Sequence, residues 1–446
     1  MPEKLLVGNT HVFTLGKEPR YLPQGGILVE GSLISEIAPF AELKKKHPGA
    51  ETLELPGMVV MPGMICAHHH IYSAFARGMA LKTEAPANFV QILERVWWRL
   101  DKVLTREDNY FSGMLAFMDC IRRGTTTVID HHASPFSTEG SLDEIARAAL
   151  ETGMRACLCY EVSDRDGAEV TAAQIRENER FLRKCRTEPD DLLAAAFGLH
   201  ASFTLSDSTL GECLDVARRE NSHFHIHVAE DRADVEDSLK KHGRPVVKRL
   251  ESLGLLEQPT LAIHCVHLED GELEILKRHK VTVIHNPESN MNNAVGRADI
   301  PALLDEGIQV GLGTDGFTSN MFQEIEILPL LHKLCSGDPR TLNFDQIYRM
   351  VFINNPAIAG AFFRHELGSL KEGAFADIIA LDYSPPTPMN GDNFLGHLLF
   401  GLVNAPVDTT IVNGRVLMKG RKFLEIDEER IKERTRELAL EAWRRF

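Results

Sequence analysis

What most constrains this 446-residue chain is an alternation of eight short apolar runs with amphipathic helical stretches. The runs cover residues 59–70, 125–132, 155–162, 193–200, 223–230, 260–268, 281–289 and 309–316. Helical periodicity marks 141–152, 172–184, 210–220 and 269–279 between them. Apolar strands that alternate with helices belong to parallel sheets buried on both faces. Eight of them predict an α/β fold, a closed (β/α)8 barrel of the TIM type, with an open doubly wound sheet as the alternative. Such a barrel takes about 250 residues, which leaves room for a smaller second unit.

That second unit is expected at the two ends. Leu5-Leu6-Val7, Gly26-Ile27-Leu28-Val29 and Leu33-Ile34-Ser35-Glu36-Ile37 are short strands broken by Gly, Asn and Pro. Strand and turn patterns return after about residue 366, in Gly368 to Gly373, Ala376-Asp377-Ile378-Ile379-Ala380-Leu381 and Thr409 to Gly414. We expect 1–58 and 366–426 to pair into one small β-sandwich domain, with the barrel over 59–365 and an amphipathic helix over 427–446 whose charged face is solvated.

Charge and composition exclude several classes. The net charge is -15, from 64 acidic against 49 basic residues. A nucleic-acid or anionic-membrane partner wants a basic surface, so the acidity is read as solubility. No run reaches the ~18 apolar residues of a membrane span, and Met1-Pro2-Glu3-Lys4 opens no signal-peptide core. A cytoplasmic setting is expected. The 8 cysteines form no pair of C-x-x-C motifs. Cys157 and Cys159 share one face of a strand and are read as core packing.

The polar residues fall at the C-terminal ends of the apolar runs, which converge on one face of a parallel barrel. Residues some 250 positions apart in the chain thereby become neighbours. In the first run, strand alternation puts His68 and His70 on one face, able to chelate a cation, and His69 on the other. A plain H-x-H is not specific by itself. In the fifth run His223, His225 and His227 share a parity; His227, at the strand end, is the candidate third ligand, and the other two are ordinary polar or core histidines. Glu230 follows on the loop, within reach of the reaction centre or simply favoured at a helix N-terminus. Asp315 ends the eighth run, where a buried carboxylate costs free energy unless it is paired or bound to a cation. Three His and one Asp suit Zn²⁺, Fe²⁺ or Mn²⁺. His264 ends the sixth run and His200 the fourth; each is open to a ligand, acid–base or core role, with His264 favoured beside the metal and His200 against substrate. His131 and His132 are left unassigned. Gly311-x-Gly313-x-x-Gly316 also fits a dinucleotide fingerprint, but that motif expects to open an early βαβ unit, not to close the last.

Taken together, these residues resemble the amidohydrolase superfamily. Pro62-Gly63-Met64-Ile65-x-x-His68-x-His70 with Arg77-Gly78 resembles its ATZ/TRZ-type deaminase and chlorohydrolase branch. So do His227-x-x-Glu230, His264-Cys265-Val266-His267-Leu268, His285-Asn286-Pro287-x-Ser289-Asn290 and Gly313-Thr314-Asp315-Gly316. Asp130-His131-His132-Ala133-Ser134-Pro135 and Val162-Ser163-Asp164-Arg165-Asp166-Gly167 are similar to the SsnA group of aminohydrolases, a group associated with purine catabolism.

The resemblance implies one divalent metal ion, Zn²⁺ before Fe²⁺ or Mn²⁺, on His68, His70, His227 and Asp315. It implies Glu230, His264 and Asp315 as catalytic groups, with His200 and Glu230 binding substrate. Binuclear members carry a modified Lys on the fourth strand, and 193–200 holds no Lys, which favours one metal. The implied activity is hydrolytic deamination of a small purine-like or pterin-like heterocycle. Cyclic-amide hydrolysis or dechlorination on the same scaffold, and a non-catalytic assembly role, are the alternatives. We expect a homodimer with a small-molecule substrate and neither nucleic acid nor membrane as partner. Trp97 and Trp98 are read as packing before pocket walls, and Arg77 as either an anion contact or an ion pair.

Overall fold

Five strands open the chain: β1 (Lys4–Phe13), β2 (Tyr21–Glu30), β3 (Leu33–Pro39), β4 (Glu51–Glu54) and β5 (Val59–Pro62). This computed structural model describes residues 3–446; Met1 and Pro2, read above as part of a leaderless start, lie outside the described residues. Then come β6 (Met64–His69), β7 (Thr125–Asp130), β8 (Arg155–Leu158), β9 (Leu193–Ala195), β10 (Phe197–Ala201), β11 (Phe224–Val228), β12 (Thr260–His264), β13 (Thr282–His285) and β14 (Val310–Leu312). The chain returns to β structure in β15 (Ile378–Leu381), β16 (Val407–Val412), β17 (Arg415–Lys419) and β18 (Lys422–Phe423).

Strands β6 to β14 form the barrel, each of the eight apolar runs supplying one stave. The fourth run is split at Ala196 into β9 and β10. All neighbours pair in parallel, in the orders β6-β7-β8-β9 and β10-β11-β12-β13-β14. The two arcs meet through a Val162–Leu199 bridge on one side and a His69–Asp315 bridge on the other. Along this second seam the Thr314 and Asp315 amides both donate to the His68 carbonyl, at 3.0 and 3.1 Å. Gly313 makes the seam: a Cβ there would lie 2.8 Å from both His68 N and His68 O. A Cβ at Gly311 would meet Ile358 at 2.5 Å. These glycines therefore serve close packing, which replaces the dinucleotide alternative.

Side-chain alternation splits the core. Val128, Leu158, Ile226, Val283 and Leu312 face outward, against helices such as Arg106–Arg123 and Ser141–Thr152. Ile65, Ala67, Ile129, Cys157, Ile263 and Ile284 fill the interior, sealed below by Ile358, Phe363 and Phe375. Several helices begin on side-chain caps. Thr105 and Asp108, for example, form a reciprocal capping box ahead of Arg106–Arg123.

Both chain ends build one nine-stranded sheet, ordered β18-β17-β16-β15-β5-β1-β2-β3 with β4 on β1. It bends over a core in which Leu5, Val7, Ile27 and Val60 meet Ile378 and Ile411. Here the structure differs from the run 59–70 as read: β5 pairs with β1 and β15, not with the barrel. The chain crosses over at Gly63, where a Cβ would come within 2.2 Å of Thr126. Arg155, fully buried at the foot of β8, clasps Asp377 at 3.0 and 3.1 Å and stacks 3.9 Å over Phe375, so barrel and sheet share one ion pair. Among the described residues no helix is long and apolar enough to cross a membrane, and all eight cysteines are free thiols.

Candidate active site

Five predicted residues converge above the barrel interior. His70 Nε2 lies 3.2 Å from His227 Nε2 and 3.3 Å from Asp315 Oδ1. His68 Nε2 is 3.6 Å from Asp315 Oδ1, and His264 Nε2 is 3.5 Å from Asp315 Oδ2. His68, His227, His264 and Asp315 place one ligand-type atom each within 4.8 Å of one another; so do His68, His70, His131 and His227. The two groups share His68 and His227, so they describe one centre.

Each imidazole is fixed from behind. His70 Nδ1–H donates to the His131 carbonyl at 2.6 Å, and His227 Nδ1–H donates to the His200 carbonyl at 2.8 Å. A carbonyl only accepts, so the tautomer follows, and the free lone pair sits on Nε2. His264 Nδ1 pairs with Asn290 Oδ1 at 2.7 Å, and His68 Nδ1 with His225 Nε2 at 2.8 Å. His68 Nε2 and His264 Nε2 are buried without a hydrogen-bond partner among the described residues. Burial pushes His68 and His227 well below the ordinary 6.5 and lowers His70 and His264. Burial opposes a charge on Asp315, but the His68 contact and the surrounding imidazoles outweigh it and hold the carboxyl well below 3.8. Neutral nitrogen donors around an ionised carboxylate fit a divalent cation.

The backbone aims these groups. Counting from the interior residues Ile65 and Ala67, strict alternation would turn His69 inward. A register irregularity between Cys66 and His69 inverts the phase and brings His68 and His70 to the centre. His69 instead pairs through Nδ1 with Thr314 Oγ1 at 2.9 Å. Ala229, His264 and Asp315 occupy the left-handed region at φ 47°, 73° and 54°. Non-glycine residues there store strain of about 1–3 kcal/mol each and cluster at functional sites.

Glu230 lines the pocket over this cluster, its Oε2 3.5 Å from His264 Nε2. Burial, reinforced by the charge of Asp315, raises its carboxyl well above the usual range. His200 lines the same pocket, with Nδ1 2.7 Å from Thr204 Oγ1. Trp97 and Trp98 also line it, which corrects the packing expectation: the helix Phe89–Ile92 and the π-helical turn Leu93–Trp97 form one apolar wall. Arg77 is 2.6 Å from Asp119, an exposed ion pair outside the pocket.

The sequence reading left three groups without a role at the site. His131 stacks on His225 at 4.4 Å and 9° beneath the cluster. His225 carries the Nδ1 contact of His68. Glu161 lies 3.4 Å from His131 Nδ1 and lines the pocket. All three continue an inward parity that apolar neighbours announce: Ile129 for His131, Cys157 and Cys159 for Glu161, and the outward Phe224 and Ile226 for His225.

The sequence profile of the Amidohydrolase family matches residues 59–417. A 5-methylthioadenosine/S-adenosylhomocysteine deaminase of Pelotomaculum thermopropionicum is 34% identical over 440 residues, 98% of each chain. A 5'-deoxyadenosine deaminase of Methanosarcina acetivorans is 33% identical over 441 residues, again 98% of each chain. In fold, the chain is similar to a zinc-bound adenosine deaminase of Xanthomonas campestris, with a TM-score of 0.86 at 22% identity over 99% of both chains.

Proposed function

This chain belongs to the amidohydrolase family and is a metal-dependent hydrolase of C–N bonds in a small heterocycle; from that premise we propose that it deaminates an adenosine-like purine. The observation that carries the proposal is the meeting of His68, His70, His227, His264 and Asp315 with Glu230 at one pocket floor. We assign a single zinc ion to His68, His70, His227 and Asp315, with His264 beside them. When bound, such an ion supplies Lewis-acid activation of water.

The chain's own residues do the rest. Glu230, its carboxyl pushed toward the protonated form by burial, holds a ring nitrogen by a hydrogen bond and delivers a proton there as water adds to the neighbouring carbon. Asp315, ionised at the outset, takes one proton from the water as it adds and passes it to the departing amine, so the exocyclic C–N bond breaks as ammonia forms; the remaining hydroxyl proton leaves as the ring carbonyl forms and restores Glu230. His264, locked by Asn290, orients the incoming water. His200 and the Trp97–Trp98 wall pack the ring and exclude solvent. Free thiols throughout support a reducing, cytoplasmic setting, and the homodimer remains our expectation, tested by solution mass measurement.

The decisive experiment is an ammonia-release screen of zinc-loaded protein against 5'-deoxyadenosine, 5-methylthioadenosine, adenosine, guanine and a pterin. We expect release from the adenosine derivatives. Ring opening without ammonia, or no release from any, would overturn the proposal.

A further inference from the structure

The two carboxyl oxygens of Asp315 stand in different settings. Oδ1 lies 3.3 Å from His70 Nε2 and 3.6 Å from His68 Nε2, and it accepts the Gly316 amide at 2.7 Å. Oδ2 lies 3.5 Å from His264 Nε2 and accepts the Ser289 hydroxyl at 2.6 Å. The last torsion of an aspartate is broad and roughly twofold. One amide on Oδ1 therefore leaves the carboxylate plane free to turn, and a second donor on the opposite oxygen fixes it.

The chemistry proposed above leaves Ser289 unused, although it is 4% exposed and lines the pocket. Its hydroxyl has one direction. Asn293 Nδ2–H donates to Ser289 Oγ at 3.3 Å, and Asn293 Oδ1 accepts from Asn292 Nδ2 at 3.1 Å, which orients the Asn293 amide. A carboxylate only accepts, so the Ser289 proton points at Asp315 Oδ2. Donation runs one way, from Asn292 through Asn293 and Ser289 to Asp315.

The support beneath Ser289 is firm. It is the third residue of the helix Pro287–Asn292, which follows β13 with proline in its first turn. The Glu288 amide donates to the buried Glu324 carboxyl at 3.1 Å, and the Val295 amide closes the turn on the Asn290 carbonyl at 3.2 Å. The same turn supplies Asn290 to His264 Nδ1 at 2.7 Å. One turn thus holds both members of the His264–Asp315 pair, each through its own side chain.

We propose that Ser289 is a positioning residue: its hydroxyl fixes the plane of the Asp315 carboxylate, keeping Oδ1 toward His68 and His70 and Oδ2 beside His264 for proton transfer. The proton-transfer half rests on the deaminase proposal; the positioning half does not.

The test uses the zinc-loaded protein and two readouts, deamination of 5'-deoxyadenosine and the rate of zinc release to excess chelator. Removing a partner that orients a metal ligand costs about 10–100-fold in affinity or activity. We expect Ser289→Ala to lower kcat by about 10–100-fold with KM within about threefold of wild type, and to speed zinc release about tenfold. Ser289→Thr keeps the hydroxyl and should stay within about threefold of wild type in both; lost packing alone would not be recovered this way. A kcat or a zinc-release rate of Ser289→Ala within about threefold of wild type overturns the proposal. So does a Ser289→Thr variant as slow as Ser289→Ala, or a loss carried mainly by KM, which would put Ser289 on the substrate. If Ser289→Ala does not fold, Ser289→Cys, similar in shape with a weak donor, takes its place under the same expectations. If wild type releases no ammonia from any adenosine derivative, the deaminase proposal fails and zinc release decides alone. Release faster by more than about threefold then supports the positioning role, and a smaller change overturns it.

Discussion

Glu230 and Asp315, each 3.5 Å from His264 Nε2, show one functional group pushed in opposite directions. Burial and a neighbouring carboxylate push the Glu230 carboxyl well above its usual range, while at Asp315 the His68 contact and the surrounding imidazoles outweigh burial and hold the carboxyl well below its own, the separation of environments from which acid and base roles arise. Glu230→Gln should keep metal by elemental analysis and lose about 10²–10⁴-fold in kcat; near wild-type turnover would remove Glu230 from proton transfer. Asp130 carries a different consequence. Burial raises its carboxyl from 3.8 to about 8, although amide hydrogen bonds from Ile71 and His131 pull it down. The folded protein therefore holds this proton more tightly than the unfolded chain. The stabilisation is full below about pH 4 and is lost as pH rises toward 8, at about 1.4 kcal/mol per pH unit. Asp130→Asn cannot ionise, so its melting temperature should fall less than wild type between roughly pH 5 and pH 8. Parallel curves would show that Asp130 does not titrate in that window. At this scale the residue types were legible in the chain and their aim was not. His68, His70, His227 and Asp315 stood out at strand ends, but the choice of His68 over His69 depends on a register irregularity that no local pattern announces.

Among the elements, the terminal helix Glu428–Arg445 gains a role its charge pattern concealed. Its inner face, Leu438, Ala442 and Phe446, packs on Tyr72, Phe75 and Leu100. Trp443 Nε1–H donates to the Phe75 carbonyl at 2.7 Å. Tyr72 and Phe75 lie in the turn Ile71–Ala76 that directly follows His70, so the helix braces the strand end that aims a candidate ligand. Trp443→Ala should cost about 2–4 kcal/mol and lower zinc occupancy as well. Unchanged thermal stability and metal content would dismiss the brace. The helix itself was readable from its periodicity; what it docks against was not, because its partner lies 368 residues away.

At the scale of the molecule, Arg155 and Asp377 join barrel and sheet through a buried pair. Removing one partner of such a pair strands the other charge, at about 3–5 kcal/mol. Asp377→Ala should lose that much in urea unfolding, and Arg155→Met combined with Asp377→Leu should recover most of it; a neutral single variant would argue that water reaches the Arg155 guanidinium. The architecture was written in the chain. Eight apolar runs with carboxyl-end histidines determined a parallel barrel and the face on which it works, because strand burial and connection handedness leave few other arrangements. Tertiary structure decided where the inward alternation is inverted. A strand side chain's direction alternates with period two, so one bulge beside His69 or one left-handed residue at His264 reverses it. Those local inversions are held only by the closed ring around them.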